Sequence, residues 1–542
     1  MMSRSMEPHC IPFTEIPHTP ALFADALYRF PRVAAFYAHD PFDPASFRAA
    51  ANQIRPDQAR LAAVADVLAE QTGEFGGGSR TEENIARLRD GAVAVVTGQQ
   101  AGLFGGPAYS VYKALTAIRL AEQLTADGLP AVPVFWLASE DHDFQEVNHC
   151  HLLDGSFEWQ ELRDAATPPD GAPVGRIAFG RSIDGLRQRL LQLWPGDASA
   201  EAAALLEGYE PGASYAQAFG RLFERLFAGR GLIVLDPLHP TLHALAKPLY
   251  RRALEEADRL HGLVRKRDRR LGKAGYHAQV RLRENATLLF LLVDGERRPL
   301  RRRRNGLLQA GKDERPAGEL LATLEAEPER FSANVLLRPL VQDWLLPTVA
   351  YVAGPNELAY FAQASALYTE LLGRMPVIVP RASLTLVEPK VRRLLNKYRL
   401  GLPDLFRGED RVRLRLAERH LPPRLLRRLE AEQKEIDKSL AAAAREVKKL
   451  DATLEGAAET SRRKMLYQFE KLRRKAARAQ AERTEVLDRH QAILLNALYP
   501  ARGLQERRMN FLSVVARHGL GVVERLLEAA SFPGRDHQVI PL

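Results

Sequence analysis

The stretch VFWLASEDHDFQEVNHCH, residues 134–151, runs from apolar and aromatic side chains straight into Glu140, Asp141, His142 and Asp143. Glu146, Asn148, His149 and His151 follow closely. Three chemistries are open to such a set. As a metal site, His142, Asp143, His149 and His151 would supply nitrogen and oxygen ligands, although their spacing matches no standard zinc pattern. As an acid/base site, neighbouring carboxylates and an imidazole would push one another's proton affinities apart. As a binding loop, the carboxylates would hold an ammonium group while His142 meets a phosphate or hydroxyl. A solvated turn is the plain alternative, and an apolar run feeding directly into the charges weighs against it.

A second set lies just upstream in VTGQQAGLFGGPAYSVYKALTAI. Gly98, Gly102, Gly105 and Gly106 would let the backbone approach a ligand, and the helix that follows would offer its first amides to an anion. Gln99 and Gln100 donate and accept hydrogen bonds, and Tyr109 and Lys113 fall four apart on one helical face. The pattern is neither the dinucleotide fingerprint nor a P-loop. A third block, FSANVLLRPLVQDWLLPTVAYVAGPNELAYFAQ, places Asn334, Arg338 and Gln342 on one polar helical stripe. It then repeats a strand, turn and helix carrying Gly354, Glu357 and Tyr360. VIVPRAS sets Arg381 beyond another strand, where it would act as an anion clamp.

These residues need elements to hold them together. GAVAVVTG (91–98) and AVPVFWLA (131–138) read as buried strands flanking a helix from Tyr109 to Leu124, a βαβ unit and hence a parallel sheet. GLIVLDP (231–237) and MPVIVP (375–380) read as further strands of that sheet. Ligands of such sheets bind beyond the carboxyl ends of the strands, where all these polar clusters fall. HAQVRL and ATLLFLLVDGERRPL alternate like an antiparallel hairpin in an inserted subdomain, at about 240–330. From Leu429, the positions Ile436, Leu440, Ala443, Val447, Leu450 and Leu454 form a heptad seam. EGAAETS interrupts it. A second seam follows at Phe469, Leu472, Ala476, Ala479, Val486 and Ile493, with Arg483 and His490 in seam positions. That pattern predicts a long antiparallel helical hairpin whose stripe would also meet a second copy. The expected organisation is a core over 1–390 with an N-terminal helical region, a coiled-coil domain over 391–500, and a helical tail over 501–542 that packs back on the core.

Composition sets the outer bounds. The 542 residues are 46% hydrophobic and 27% charged, as in globular proteins. Apolar runs such as LLFLLV are far too short to span a bilayer, and the N-terminus has no secretory h-region, so the chain is expected in the cytoplasm, off the membrane. Two cysteines, Cys10 and Cys150, cannot build a disulfide framework. The net charge is +10, and residues 261–310 hold 14 Lys and Arg against 4 Asp and Glu. That segment is either a polyanion patch or a solvated face. No aromatic interleaving or nucleic-acid motif accompanies it, and no nucleic-acid partner is expected.

Taken together, TGQQAGLFGGPAYSVYKALTAI, PVFWLASEDHDFQEVNH, SANVLLRPLVQDWLLPTVAYVAGPNELAYFAQ, MPVIVPRAS and LQERRMN resemble, in order, the cysteine-ligase family of bacillithiol biosynthesis. The resemblance spans roughly residues 95–510. It implies a Rossmann-like, nucleotidyltransferase-type core with inserted connecting segments, plus a coiled coil through which two copies pair. It also implies addition of L-cysteine to glucosaminyl-malate by amide formation. Carboxylate activation makes ATP, converted to ADP or AMP, the expected cosubstrate, with no resident metal beyond a magnesium ion accompanying the nucleotide. In that frame the acidic loop (Glu140, Asp141, His142, Asp143) would carry the proton transfer. Gly98, Gln99, Gln100, Gly102, Tyr109, Lys113, Asn148, Asn334, Arg338, Gln342, Gly354, Glu357, Tyr360 and Arg381 would bind substrates. The signatures of class I aminoacyl-tRNA synthetases, whose core this resembles, are missing, so nucleotide roles do not carry over by residue. A metal-assisted hydrolase or transferase, and a non-catalytic coiled-coil scaffold with a ligand-sensing core, are the alternatives.

Overall fold

The computed structural model describes residues 8–194, 198–481 and 485–542. A short strand, β1 (His9–Ile11), and a group of helices lead to β2 (Val93–Gln99). The Tyr109–Ala126 helix then returns the chain to β3 (Ala131–Leu137), and a hairpin follows, β4 (His149–Leu153) and β5 (Trp159–Arg163). After β6 (Ile233–Leu235) and two helices come β7 (Ala286–Val293), β8 (Glu296–Arg302), β9 (Leu308–Ala310), β10 (Asp313–Arg315) and β11 (Phe331–Ala333). The Arg338–Leu345 helix, β12 (Thr348–Ala353), the Pro355–Leu371 helix, β13 (Val377–Pro380) and β14 (Ser383–Val387) follow, and β15 (His537–Pro541) ends the chain.

The central sheet has the order β13-β12-β2-β3-β6, all parallel. Its strands are apolar on both sides because both sides are covered. Val95, Val352 and Val379 pack with Ala117 and Leu124 on one face, while Val96, Val134 and Tyr351 pack with Leu68 and Phe361 on the other. The chain builds outward from β2 in one direction through β3 and β6, and in the other through β12 and β13. The switch point therefore lies between β2 and β12, and the crevice beyond their carboxyl ends is the expected place for a ligand.

The insertion after β6 carries an antiparallel sheet of order β10-β9-β8-β7-β11. Its hairpin differs from the one the sequence pattern predicts. HAQVRL is no strand; β7 pairs with β8 across a turn at Asp294 and Gly295, whose positive φ values of 51° and 81° suit a tight hairpin. HAQVRL bends at Gln279 and Val280, where the buried Gln363 amide accepts from the Val280 N–H at 2.8 Å and donates to its C=O at 2.9 Å.

The C-terminal third projects a helical hairpin, Pro423–Leu450 and Glu455–Ala481. The turn falls earlier than EGAAETS, which instead starts the second helix. Asp451 makes it, accepting from the Thr453 N–H and hydroxyl at 2.8 Å each. In the first helix Leu429, Ile436, Leu440 and Val447 are half-buried, Ala443 and Leu450 exposed. In the second, Phe469 and Ala476 face inward, whereas Leu472 and Ala479 point to solvent. Beyond it, Val486 is exposed and its neighbour Leu487 buried. His490 bonds to the Tyr398 hydroxyl at 2.6 Å, and Arg483 lies outside the described residues. Among the described residues no helix is long and apolar enough to cross a membrane.

The tail is not wholly helical. β15 lies between β1 and β14, antiparallel to the first and parallel to the second. Its His537 is fully buried, with ring nitrogens 2.7 Å from the Ser383 hydroxyl and 2.8 Å from that of Thr385. Deleting residues 537–542 should therefore cost about 3–6 kcal/mol from lost burial of Val539 and Ile540 and the broken ladder. Denaturant unfolding of the truncated chain would show this as a lower midpoint; an unchanged midpoint would refute it.

Candidate active site

A cavity of about 720 Å3 opens at the carboxyl ends of β2, β3 and β12, roofed by the inserted sheet. Gly98, at the end of β2, must be glycine, because a Cβ there would stand 2.6 Å from the Trp136 carbonyl oxygen. The tight β2–β3 contact turns the next two side chains toward the cavity. Gln99 donates to the Tyr109 hydroxyl at 3.3 Å and Gln100 donates to Asp141 at 2.7 Å and Glu146 at 2.8 Å. Lys113 is 2% exposed and donates to the Gly98 carbonyl at 2.5 Å and to Gln99 at 3.1 Å. It pairs with Glu357 at 2.5 Å. Glu357 also accepts from the Gly354 N–H and the Tyr351 hydroxyl, each at 2.7 Å, fixing the turn after β12.

Beyond β3, Glu140 is buried and borders the cavity. Burial lifts its carboxyl to about 7, with Arg297 opposing and Asp236 adding to the rise. Asp141 has a different part. One oxygen accepts from the His142 N–H at 2.7 Å and the other from Gln100, so it shapes the loop. His142 Nδ1 lies 3.2 Å from an Arg297 guanidinium nitrogen. Arginine only donates, so Nδ1 carries the lone pair and the proton sits on Nε2. Burial, then Arg297, lowers the affinity of this ring for a second proton. His142 is thereby made a hydrogen-bond donor, not a base.

Cationic side chains line the cavity as well. Arg338, from the start of its helix, donates to Gln342 at 3.2 Å and to the Tyr360 hydroxyl at 3.2 Å. Arg297 comes from β8 and stacks 3.8 Å over the Phe290 ring, donating to Ser332 at 2.9 Å and the Ala333 carbonyl at 2.7 Å. Among the described residues neither guanidinium has a carboxylate within 4.0 Å. Arg281, Arg283 and Arg301 line the same cavity. Sequence reasoning missed Arg297, which lies in the basic segment, because nothing local marks which of its arginines turns inward. The signal available was the hairpin alternation of ERRPLRR. Asn334 also borders the cavity, its Oδ1 accepting from the Leu336 and Leu337 amides at 3.0 Å each. Arg381 lies under 6 Å from the Tyr109 ring, at 5.4 Å, and pairs with the buried Glu506 at 2.6 Å.

Four of the expected residues stand elsewhere. Asp143 is exposed and caps the Phe144–Val147 helix by accepting from the Glu146 N–H. Asn148 is buried among Asp164, Arg163 and His149, tying the β4–β5 hairpin. Gln342 is fully buried and acts on the cavity only through Arg338. Gly102 borders a neighbouring cavity of about 300 Å3 with His149, Cys150 and His151. Four amides of the glycine-turn segment are committed within the protein. Gly102, Gly105, Gly106 and Ala108 donate to Gln100, Gly102, Leu103 and Met509 carbonyls, respectively. Asn510 fixes the same turn by donating to Phe104 and Gly106 carbonyls at 2.8 and 2.9 Å. His142 stands at Arg297 while His149 and His151 face the second cavity. Among the described residues no three His, Cys, Asp or Glu side chains converge as a metal site requires.

Comparison with known proteins bears on this geometry. Residues 6–382 match the family described as "Bacillithiol biosynthesis BshC, N-terminal Rossmann-like domain". Residues 384–542 match "Bacillithiol biosynthesis BshC, C-terminal coiled-coil domain". The chain belongs to the bacillithiol biosynthesis BshC family. A relative from Koribacter versatilis (strain Ellin345), named "Putative cysteine ligase BshC", is 44% identical over 99% of this chain and 100% of its own length. Relatives of the same name from Solibacter usitatus (strain Ellin6076) and Salinibacter ruber (strain DSM 13855 / M31) are 38% and 35% identical. They cover 98% and 96% of this chain, and 99% and 96% of their own. The Rossmann-like core and coiled coil expected of this family are the parallel sheet and helical hairpin described above.

The raised Glu140 carboxyl has a consequence for stability. Folded Glu140 binds its proton more tightly than the unfolded chain does, so its contribution is full below about pH 4.5 and is lost as pH rises through about 7. E140Q should therefore stabilise the fold by about 2–3 kcal/mol at pH 8 and by little at pH 4.5. Denaturant unfolding at the two pH values checks this, and a gain equal at both would refute it.

Proposed function

We propose that this protein forms the amide between the carboxyl of L-cysteine and the amine of glucosaminyl-malate, completing bacillithiol in the cytoplasm. The observation that carries the reading is the division of charge within one cavity. Arg297 and Arg338 offer unpaired guanidiniums, suited to the two carboxylates of a malyl group or to phosphates. Glu140, which borders the same small rear pocket as Arg297, is a desolvated carboxyl able to take a proton from the attacking amine. The names of the relatives support cysteine as the added group.

Amide formation from a free carboxylate requires activation, and a nucleoside triphosphate supplies it as an acyl phosphate or acyl adenylate. The arginines of the inserted sheet suit its phosphates better than the glycine-turn segment, four of whose amides donate to carbonyls of the protein. Lys113 and Arg381 are likewise committed to internal ion pairs and serve to position Gln99, Glu357 and Tyr109. His142, with Nε2–H outward, is placed to donate to a substrate carbonyl or hydroxyl oxygen.

Incubation with cysteine, glucosaminyl-malate and ATP should yield bacillithiol by mass spectrometry; no product would end this reading. R338M should raise KM for glucosaminyl-malate about tenfold to a hundredfold by removing charge-assisted hydrogen bonds. The same variant should leave weak turnover of glucosamine lacking the malyl group unchanged. If both substrates suffer alike, Arg338 does not read the malate.

Two copies are proposed to pair through the helical hairpin. Met465 and Leu472, one heptad apart on the second helix, are 54% and 55% exposed, and Leu450 is 84% exposed. Sedimentation should give a dimer at micromolar concentration for the intact chain and a monomer for M465E/L472E, whereas a dimer in both would place the contact elsewhere.

A further inference from the structure

Glu140 and Arg297 line two spaces. One is the main cavity; the other is a pocket of about 20 Å3 behind them, bordered also by Arg176, His243, Glu329 and Ser332. That volume is large enough for one water molecule, and the polar groups of Glu140 and His243 border it between the apolar Pro173, Leu238 and Leu292. His243 is 3% exposed, and its Nδ1 lies 3.1 Å from the Phe331 carbonyl oxygen. A carbonyl only accepts, so Nδ1 carries the proton and Nε2 the lone pair. Nε2 is buried and without a hydrogen-bond partner among the described residues, and the Glu140 carboxyl faces it at 3.9 Å. That separation is too long for a direct hydrogen bond and within reach of a bridging water. A buried acceptor left unpaired is costly, and this one points at the acidic group of the cavity.

We propose that His243, through one buried water, forms a proton relay behind Glu140 and carries the amine's proton out of the substrate cavity. The inference rests on reading the cavity as an amide-forming site. There, the amine nitrogen attacks the activated acyl carbon. The C–N bond forms, and the phosphate-type leaving group departs with its electron pair. The nitrogen's surplus proton passes to the Glu140 carboxylate, Glu140 hands it to the water, and the water protonates His243 Nε2. The imidazolium keeps its Nδ1–H on Phe331 and discharges by the same pocket toward the half-exposed Glu329. Arg176, Arg297, Arg338, Asp236 and Tyr250 also act on Glu140, and Arg176 and His239 on His243. Burial holds His243 at about 4, so it passes the proton on instead of storing it. His243 is a positioning residue acting through Glu140.

The test uses H243N in the full-length protein, because the asparagine amide can keep the bond to Phe331 while the Nε2 lone pair is lost. H243Q, which returns a polar atom near the Nε2 position, replaces it if circular dichroism shows that H243N does not fold. Two measurements apply. In the ligation assay kcat should fall about tenfold to a hundredfold, with KM changed less than about twofold and the pH profile of kcat displaced. In substrate-free difference infrared spectra, the protonated-carboxyl band that E140Q abolishes should titrate at a different pH in the His243 variant. A Glu140 band and a pH profile both identical to those of the unaltered protein would overturn the relay. If the unaltered protein forms no amide, the functional reading fails by itself, and the infrared titration still decides whether His243 and Glu140 share a proton.

Discussion

The site depends on a cation that the fold has taken out of water. Lys113 stands on the helix between the first two core strands, and its ammonium reaches back to the Gly98 carbonyl and Gln99 and across to Glu357. Those partners belong to both sides of the sheet's switch point. A buried ammonium is tolerable only while its partners stay in place, and removing one leaves a penalty of about 3–5 kcal/mol. Burial lowers its affinity for the proton, and Glu357 only partly offsets this. The ends of β2 and β12 are thus held in register by a charge, and the crevice between them keeps its shape. Arg381 and Glu506 repeat the device one strand farther on, joining β13 and β14 to the C-terminal segment. Burial pushes the Glu506 carboxyl up, but Arg381 more than offsets it.

This changes what the polar residues of the sequence mean. Lys113 and Arg381 have the types and positions of ligand clamps, yet their charges are consumed inside the protein. Arg297 and Arg338 have similar chemistry, and among the described residues their nitrogens serve neutral groups with no carboxylate within 4.0 Å. Nothing in a single sequence separates the two cases, because the difference lies in whether a distant carboxylate arrives. Glu506 is 125 residues from Arg381, and no periodicity links them. The same limit hid β15, a strand that pairs with β1 near the start of the chain and with β14 far upstream, and made HAQVRL look like a strand when Gln363 takes the Val280 backbone hydrogen bonds. The core strands were legible because burial on both faces demands unbroken apolar runs. The helical hairpin was legible because its repeat is local, although its turn, set by Asp451, was displaced by a few residues. The polar clusters expected at three strand ends border one cavity, whereas Asp143, Asn148, Gln342 and Gly102 lie outside its lining.

The inserted sheet supplies what the core cannot. A doubly wound sheet presents strand ends and helix starts, which serve anions well through their amides. Here Gly102, Gly105, Gly106 and Ala108 donate to the Gln100, Gly102, Leu103 and Met509 carbonyls, so four amides of this segment are committed within the protein. The hairpin β7–β8 adds guanidiniums that line the crevice. It also reaches Glu140, since Arg297 touches the ring of His142 and borders the pocket behind the carboxyl. One arginine therefore couples the cationic groups to the acidic one, fixing the tautomer of His142 while limiting how far burial can raise Glu140. A lysine could not replace it, because a compact ammonium lacks the flat fork that stacks on Phe290 and serves Ser332, Ala333 and His142 together. The excess of positive charge that looks like a solvated face in the sequence is, in this part, the half of the site that the parallel sheet leaves unbuilt.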